Sequence, residues 1–261
     1  MPRKGEIKDR TGEENINTFG SKMIIKAYRN RMDIDVYFPE YDWTFKNAKY
    51  QHFESGRMKC PYEKRYYGVG YLGEGKYKVK ENGKTTKYFD VWFRMLQRCY
   101  DPKYHKKHPS YKGCKIEDHW LNFQNMGKWL ENNYYEVPGE KMHLDKDILC
   151  KGNKMYSRST CIFVPERINK LFIKRNDNRG KDPIGAHPNS SGNYEARCSN
   201  GYGKQVSLGT YSTKEEAFQV YKEYKENLIK ETIDSYEGKI PEPFYSKLKV
   251  AMYNYEVEID D

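Results

Sequence analysis

Short hydrophobic segments separated by polar turns occupy the first part of the chain. Apolar and polar residues alternate through Ile34–Val36, and the preceding stretch "RNRMD" is rich in turn-forming residues. Alternation with a period of two is typical of a half-buried β-strand, so this stretch predicts a β-hairpin. We therefore predict a small β-rich unit over residues 21–75, preceded by a flexible polar segment over residues 1–20.

The middle of the chain has helical spacing. In "YFDVWFRMLQRCYD", residues 88–101, apolar side chains recur every three or four positions, and Pro102 is expected to end the helix. The stretch "DHWLNFQNMGKWLENNYY", residues 118–135, predicts a second amphipathic helix. Aromatic residues at this spacing belong more often to a core than to a cofactor site. A short strand, residues 160–164, then leads into a helix that begins at Pro165.

The last part of the chain predicts a compact unit of three strands and one helix. Two turn sequences, "NSSGN" and "NGYGK", separate the three predicted strands. Thr213 and Glu216 then form the pattern of a capping box at a helix N-terminus. The whole chain is thus predicted to be an α+β protein, with domains over residues 76–180 and 181–235 and with a C-terminal helix and acidic tail over 236–261.

Composition adds a partner class to this outline. Lys and Arg number 47 against 37 for Asp and Glu, a net charge of +10 that favours a polyanionic partner. The 25 tyrosines are interpreted mainly as core and sheet residues, with base stacking as the alternative. The six cysteines contain no C-x-x-C pair, so a structural Zn²⁺ is not expected and buried free thiols are.

Neither a membrane-spanning run nor the apolar core of a signal peptide is evident in the sequence. We expect a soluble protein without a membrane partner, located in the cytoplasm, which would be that of the host cell if a phage encodes it. The oligomeric state is left open. The β-rich N-terminal unit is interpreted either as a second DNA-contacting module or as a dimerisation surface.

The last unit resembles the ethylene-response-factor (ERF) domain of the APETALA class. The resemblance rests on Tyr194–Arg197, on Ser207–Tyr211 and on Thr213–Ala217 at the start of the helix. It implies a three-stranded antiparallel sheet packed on one helix, with the sheet lying in the major groove of duplex DNA. The first strand departs from the family, because Ile184–Pro188 stands where the family has arginines.

Four residues are predicted to bind DNA on the strength of this resemblance. Arg197 holds the position of one of the family's strand arginines, which reach guanine edges and the phosphate backbone, and Lys204 lies beside the hairpin. Tyr194 and Lys181 complete the predicted set.

The middle segment, residues 76–180, resembles phage or mobile-element endonucleases of the HNH (His-Me finger) type. The stretch "HLDKDILCKGNKMYSRSTC", residues 143–161, carries the resemblance. Asp145 takes the position of the family's aspartate, Gly152 and Asn153 make the turn, and Asn169 falls on the helix. The resemblance implies one Mg²⁺ or Mn²⁺ held by Asp145 and Asn169, because carboxylate and amide oxygens suit that ion.

Two departures affect the expected chemistry. Thr160 stands where the family has an asparagine, and Lys146 stands where it has the general-base histidine. A lysine with a pKa near its usual value of about 10.4 is protonated at neutral pH and cannot accept a proton. Lys146 is therefore interpreted as a phosphate clamp, and His143 is the candidate substitute base. The predicted catalytic set is Asp145, Lys146 and His143.

Three functions stay open from the sequence. The first is a metal-dependent DNA endonuclease of the homing type, and the second is a catalytically inactive DNA-binding regulator or architectural protein on the same scaffold. The third is an interaction protein that blocks a host factor. The stretch 143–161 is alternatively an acidic turn between two strands, and the acidic ending "YNYEVEIDD" is either a solvated tail or a segment that folds back.

Overall fold

The structure is a computed structural model that describes residues 8–173 and 182–259. It is a mixed α+β protein with several small sheets, as predicted. The helices are α1 (Tyr50–Glu54), α2 (Lys87–Tyr100), α3 (Pro102–Lys107), α4 (Asp118–Leu121), α5 (Phe123–Asn133), α6 (Glu166–Leu171), α7 (Lys214–Asp234) and α8 (Phe244–Tyr253). The strands are β1 (Glu14–Ile16), β2 (Lys22–Asn30), β3 (Asp33–Phe38), β4 (Trp43–Ala48), β5 (Lys80–Glu81), β6 (Lys84–Thr85), β7 (Lys115–Ile116), β8 (Met142–Asp145), β9 (Met155–Tyr156), β10 (Ile162–Pro165), β11 (Ala186–Pro188), β12 (Tyr194–Ser199) and β13 (Gln205–Tyr211).

The chain divides into two compact units. The first comprises Met1–Lys112 with Ile116–Trp129, and the second comprises Gly113–Lys115 with Leu130–Asp261. This division falls inside the predicted domain 76–180 and not at its ends. In the first unit, Tyr66 of the predicted unit 21–75 packs on Trp92 of helix α2, which belongs to the predicted domain 76–180.

The N-terminal sheet of the first unit has the strand order β1-β2-β3-β4, with antiparallel neighbours. The predicted hairpin is confirmed as β2 and β3, and Ile34 and Val36 are fully buried. The prediction that residues 1–20 are flexible is wrong for β1. Its backbone pairs with β2, and the amide of the buried Asn17 donates to the Met58 carbonyl at 3.0 Å. These hydrogen bonds fix a polar segment that buries little apolar surface.

Helix α2 confirms the first predicted helix. It begins after Thr86, whose side chain accepts a hydrogen bond from the Phe89 N–H, and it buries Trp92. Pro102 ends this helix as predicted and also begins α3, because proline fits the first position of a helix. The segment before α2 joins the same core: the rings of Tyr66 and Trp92 lie 5.0 Å apart.

The second predicted helix, residues 118–135, is two helices. The break lies at Asn122, whose side-chain oxygen accepts a hydrogen bond from the Gln124 N–H at 2.9 Å. An asparagine that bonds the backbone two residues ahead favours a new helix start over continuation. Gln124 in turn bonds both the N–H and the carbonyl of Tyr77 at 3.0 Å, which connects this helix to the chain before α2.

The second unit begins with a ββα motif. Strands β8 and β10 pair antiparallel, with Asp145 opposite Ile162, and α6 follows directly. The predicted strand 160–164 is shifted to Ile162–Pro165. Thr160 belongs to the preceding turn, where its hydroxyl donates to the Met155 carbonyl at 3.0 Å. Pro165 precedes the first helical residue, Glu166.

The remaining sheet has the strand order β11-β12-β13 and packs against α7. The predicted capping box is confirmed, with Thr213 and Glu216 each accepting a backbone hydrogen bond from the other. Gly185 permits the close approach of the first strand to α7. It has φ +79°, and a Cβ there would lie 2.1 Å from the ring of Tyr221. The predicted three-strand, one-helix arrangement is therefore present.

The C-terminal segment after α8 does not form a solvated tail within its described residues. Val257 is 2 % exposed and packs in a cluster with Cys198 and Tyr221. Its N–H donates to the Glu226 carboxylate at 2.9 Å, and Lys151 donates to the Glu256 carbonyl at 2.8 Å. Val257 is an apolar residue within the acidic C-terminal sequence, and it completes the core beneath the three-stranded sheet. Within residues 8–173 and 182–259, no helix has the length and apolarity needed to cross a membrane.

Candidate nucleic-acid interface and candidate metal site

The two faces of β12 differ in burial. Ala196 and Cys198 are buried on the face that packs on α7, and Arg197 lies on the opposite, exposed face. This follows from the period of two along a strand, which sends successive side chains to opposite faces. The predicted DNA-reading arginine thus points away from the core.

Arg197 does not stand alone on the exposed face. Its guanidinium donates to the carboxylate of Glu195, and the other oxygen of Glu195 accepts from the Ser207 hydroxyl at 2.6 Å. The hydrogen bond from Arg197 lowers the pKa of Glu195 to about 2, and the Ser207 bond acts in the same direction. Glu195 therefore stays ionised at neutral pH and neutralises the arginine.

A histidine completes this exposed cluster. His187 on β11 lies opposite Glu195 in the register of the sheet. Burial lowers the pKa of His187 and the positive charge of Arg197 lowers it further. The sequence analysis did not identify Glu195, Ser207 and His187 as members of this exposed cluster. The period of two along a strand places Glu195 on the same face as Arg197. Ser207 and His187 can be placed there only from the strand register.

The register is irregular next to Arg197. Ala196 pairs with Gly209, whereas Arg197 pairs with Ser207, so β13 has one extra residue at this point. Gly209 has φ +119°, a conformation that side chains with a Cβ rarely adopt. A bulge increases the local twist of the strands, and this one lies directly beside Arg197.

The other predicted DNA-binding residues have different positions. Lys204 is exposed in the hairpin between β12 and β13, where its backbone carbonyl accepts from the Asn200 N–H at 3.0 Å. Tyr194 shares the buried face of β12 and packs against the core around Ala196. Lys181 lies outside the described residues.

The candidate metal site is centred on Asp145 at the end of β8. Its Oδ1 accepts hydrogen bonds from the N–H groups of Asp147 and Ile148, both at 2.8 Å. Burial raises the pKa of Asp145 to about 6, and the charge of Asp147 adds to the rise. One carboxylate oxygen is thus already used to hold the turn that follows the strand.

Lys146 is 7 % exposed and is held in the same turn. Its ammonium donates to Asp147 and to the Asn153 carbonyl, both at 3.0 Å. Burial alone would lower the pKa of Lys146, but the charge and hydrogen bond of Asp147 outweigh it, so the pKa lies above its usual value. The lysine is therefore neither a base nor an exposed phosphate clamp, and its position contradicts the latter interpretation.

His143 lies two residues before Asp145 on β8 and is half-buried. Its Nε2 is 3.9 Å from the Glu166 carboxylate at the start of α6. A carboxylate near an imidazole can orient the ring. Asn169, on the same helix as Glu166, has the helical position that the sequence predicted.

The groups around Asp145 differ from the oxygen ligands that a divalent cation requires. Mg²⁺ prefers octahedral oxygen coordination and is commonly held by one or two carboxylates together with water and substrate oxygens. Here one oxygen of Asp145 is committed to the turn, and the ammonium of Lys146 lies next to Asp147. Within the described parts of the chain, no group of three or more His, Cys, Asp and Glu side chains is arranged to hold a metal ion. Asp145 and Asn169 remain the two predicted ligands.

The ββα motif and the three-stranded sheet contact each other inside the second unit. The guanidinium of Arg167, on α6, lies 4.3 Å from the ring centre of Tyr202 in the hairpin between β12 and β13. The neighbouring Gly201 approaches Leu171 so closely that a Cβ there would lie 3.1 Å from it. The motif therefore holds the hairpin that carries Lys204.

Comparisons with known proteins gave no relative. No protein-family model matches the chain, and no curated protein and no solved structure is significantly similar to it. The functional conclusions below therefore rest on the residues and their geometry.

Proposed function

We propose that this protein binds duplex DNA through the exposed face of the β11-β12-β13 sheet, and that its ββα motif supports that sheet without hydrolysing DNA. The observation that carries the proposal is the position of Arg197, which lies on the exposed face of the central strand. An arginine on a sheet surface can reach a guanine edge or a phosphate. The net charge of +10 supports a polyanionic partner.

Glu195 competes with DNA for the guanidinium of Arg197. In the free protein the guanidinium is paired with Glu195. A base edge or a phosphate of the DNA must replace that carboxylate, so contact with a DNA site of arbitrary sequence adds little binding free energy. A guanine that accepts two hydrogen bonds offers more. The ion pair therefore favours discrimination between sequences over tight general binding.

The turn after β8 supports a structural role for the motif. Hydrolysis requires a group that accepts a proton from water near neutral pH. Lys146 occupies the position of that base in the resembled family, and Asp147 raises its pKa. The ammonium instead connects Asp147 with the Asn153 carbonyl. These bonds close the turn that precedes β10 and α6.

A salt titration of binding tests the proposal. The full chain would be mixed with a labelled mixed-sequence duplex, and fluorescence anisotropy would be followed at rising NaCl. We expect the logarithm of the affinity to fall linearly with the logarithm of salt, with a slope of about −0.9 for each phosphate contacted. Absence of binding at low salt, or binding unaffected by salt, would overturn it.

Metal-dependent endonuclease activity is the second candidate, and the position of His143 favours it. His143 is half-buried beside Glu166, which can orient the imidazole as an alternative to the missing base. In this candidate, Asp145 and Asn169 would be the residues that hold Mg²⁺ or Mn²⁺, and the bound ion would supply stabilisation of negative charge on the phosphate. The His143 ring would accept the proton of the attacking water.

Supercoiled plasmid separates the two candidates. The wild-type chain, His143→Ala and Lys146→His would each be incubated with plasmid, with Mg²⁺, Mn²⁺ or chelator. Nicking by the wild type that chelator and His143→Ala both abolish would establish the nuclease. Inactive wild-type protein with unimpaired DNA binding supports the structural motif. Nicking by Lys146→His alone would show that the motif lacks only the base.

A further inference from the structure

A strongly basic segment of the first compact unit is distant in sequence from the three-stranded sheet. From Pro102 to Ile116 the sequence has no Asp or Glu, but it has five lysines and two histidines. The part before Lys112 forms α3 and a short 3-10 helix, Pro109–Tyr111. Three lysines of α3, Lys103, Lys106 and Lys107, together with Lys112 directly after the 3-10 helix, form what we call the lysine surface.

The three lysines on α3 point to the same side. Lys106 and Lys107 follow Lys103 by three and four residues, the spacing at which helical side chains are neighbours. All three are exposed. The opposite side of the helix is fixed to α2, because the Nε2 atom of His105 lies 2.8 Å from the Arg98 carbonyl. The helix therefore presents three ammonium groups to solvent from an anchored backbone.

Local stability does not explain this arrangement. Like charges at helical spacing of three and four destabilise a helix by a few tenths of a kcal/mol for each pair, about the size of the gain from an opposite pair. Cations near the C-terminus of a helix are favourable, which accounts for Lys106 and Lys107, but Lys103 lies in the first turn, where a cation is unfavourable. Lys103 lies near the carboxylate of Asp101, the N-cap of α3, and helps to lower the pKa of that group. The other three lysines form no salt bridge with any residue that the structure describes.

The loop after α3 is also ordered by side-chain packing. The ring of Tyr104 lies 4.4 Å from that of His108 and 5.7 Å from that of Tyr111. The Lys112 N–H donates to the Pro109 carbonyl at 3.0 Å. These contacts hold the fourth lysine at a fixed position after the helix instead of on a loose linker.

We propose that the lysine surface binds the phosphate backbone of duplex DNA, as a second contact in a different compact unit from the Arg197 sheet. The argument is charge complementarity: clustered and exposed ammonium groups release condensed counterions when they contact phosphates. Lysine acts there as a point charge and does not read bases. The inference rests on the proposed DNA-binding function, but its test is separable from it.

The test compares two triple variants of the full chain with the same change in charge. One is Lys103→Gln, Lys106→Gln and Lys107→Gln. The control is Lys22→Gln, Lys222→Gln and Lys249→Gln, at three lysines that are already paired with Glu14, Glu226 and Asp234. Affinity for a mixed-sequence duplex would be measured by anisotropy across a salt series, after thermal unfolding has shown both variants to be folded.

We expect the lysine-surface variant to bind about tenfold or more weakly than the control, with a salt slope reduced by about 2 to 3. Equal losses in the two variants would overturn the inference and show a general charge effect. If the wild type binds DNA and the lysine-surface variant matches it, the second contact is refuted and the sheet remains. If this variant loses binding and Arg197→Ala does not, the lysine surface stands and the sheet interface fails.

Replacement of Lys112 by Gln in the same series extends the test to the loop. A loss of affinity that is similar on all duplex sequences supports a phosphate contact. A loss confined to one sequence, or none, would remove Lys112 from the surface. Heparin competition that displaces the wild type without any preference for duplex DNA would overturn the assignment of DNA as the partner.

Discussion

Arg197 and Glu195 form an ion pair on the exposed face of β12, two positions apart on the same strand. The strand period places both side chains on one face, and the strand register adds Ser207 as a second partner of the carboxylate. The group proposed to recognise DNA is thus held in a defined direction and is neutralised until a stronger acceptor replaces Glu195. This relationship yields the first prediction.

Glu195→Gln should tighten DNA binding. The substitution removes a negative charge from the proposed interface and releases the Arg197 guanidinium from its partner. We expect an affinity gain of about three- to tenfold at low salt, with weaker discrimination between sequences. The matched control is Glu237→Gln, an exposed carboxylate outside the sheet. Equal gains in the two variants, measured by anisotropy, would refute a specific role for Glu195.

Arg197→Ala and Lys204→Ala should differ in the sequences that they affect. Loss of a bidentate contact with guanine costs about 1–3 kcal/mol at the preferred site and less elsewhere. Lys204 lies in the hairpin and is predicted to contact phosphate, so its loss should weaken all sequences alike. Selection from a random duplex library identifies the preferred site, and competition assays then compare both variants. A uniform effect of Arg197→Ala would make it a phosphate contact.

Asp145→Asn should stabilise the protein above pH 6. Burial raises the pKa of Asp145 to about 6, so the folded state binds a proton more tightly than the unfolded state, whose carboxyl has a pKa near 3.8. Stability from this group is complete below pH 4 and is lost as the pH rises through 6, a change of up to about 3 kcal/mol. An amide oxygen can still accept the two backbone hydrogen bonds.

Urea unfolding of Asp145→Asn between pH 4 and pH 8 measures this effect. The gain over wild type should grow with pH, whereas the control Asp118→Asn, at an exposed carboxylate in α4, should show no such growth. A variant less stable than wild type at pH 8 would contradict the structural interpretation of Asp145. A stabilising effect of Mg²⁺ on the wild type that is absent in the variant would favour the metal site instead.

Val257→Ala should destabilise the second unit. Val257 is 2 % exposed and fills the cluster that includes Cys198 and Tyr221. Deleting buried methyl groups there should cost about 1–3 kcal/mol of unfolding free energy. Val250→Ala is the control, because that valine is 63 % exposed and should change stability by less than about 0.5 kcal/mol. Equal stabilities in urea would show that the C-terminal segment is dispensable.

Local rules in the sequence predicted most elements of the fold. The alternation at Ile34–Val36, the helical spacing over 88–101 and the Thr213–Glu216 capping box each depend on residues close together in the chain. Such signals act through nearby backbone and side-chain bonds, which the sequence contains completely. The same holds for the turn at Gly152–Asn153, where Asn153 accepts the Met155 N–H at 3.1 Å.

The candidate site was predicted less well, because the burial and packing that determine what a side chain can reach are not fixed by the local sequence pattern. Lys146 was expected to contact phosphate, but the Asn153 carbonyl and burial in the turn prevent this. Tyr194 was assigned to the DNA surface, but packing around Ala196 places it on the inner face. In both cases, local chemistry identified the residue type correctly and tertiary burial determined what the residue can reach.

The α+β class and the net positive charge could be read from the sequence, because hydrophobic period, turn residues and charged residues are properties of local composition. The tertiary structure alone decided where the compact units divide, that Val257 completes a core and that Glu195 faces both Arg197 and Ser207. Burial and strand register depend on the free energy of the whole fold, since each apolar residue competes for the same limited interior. No single segment contains that information.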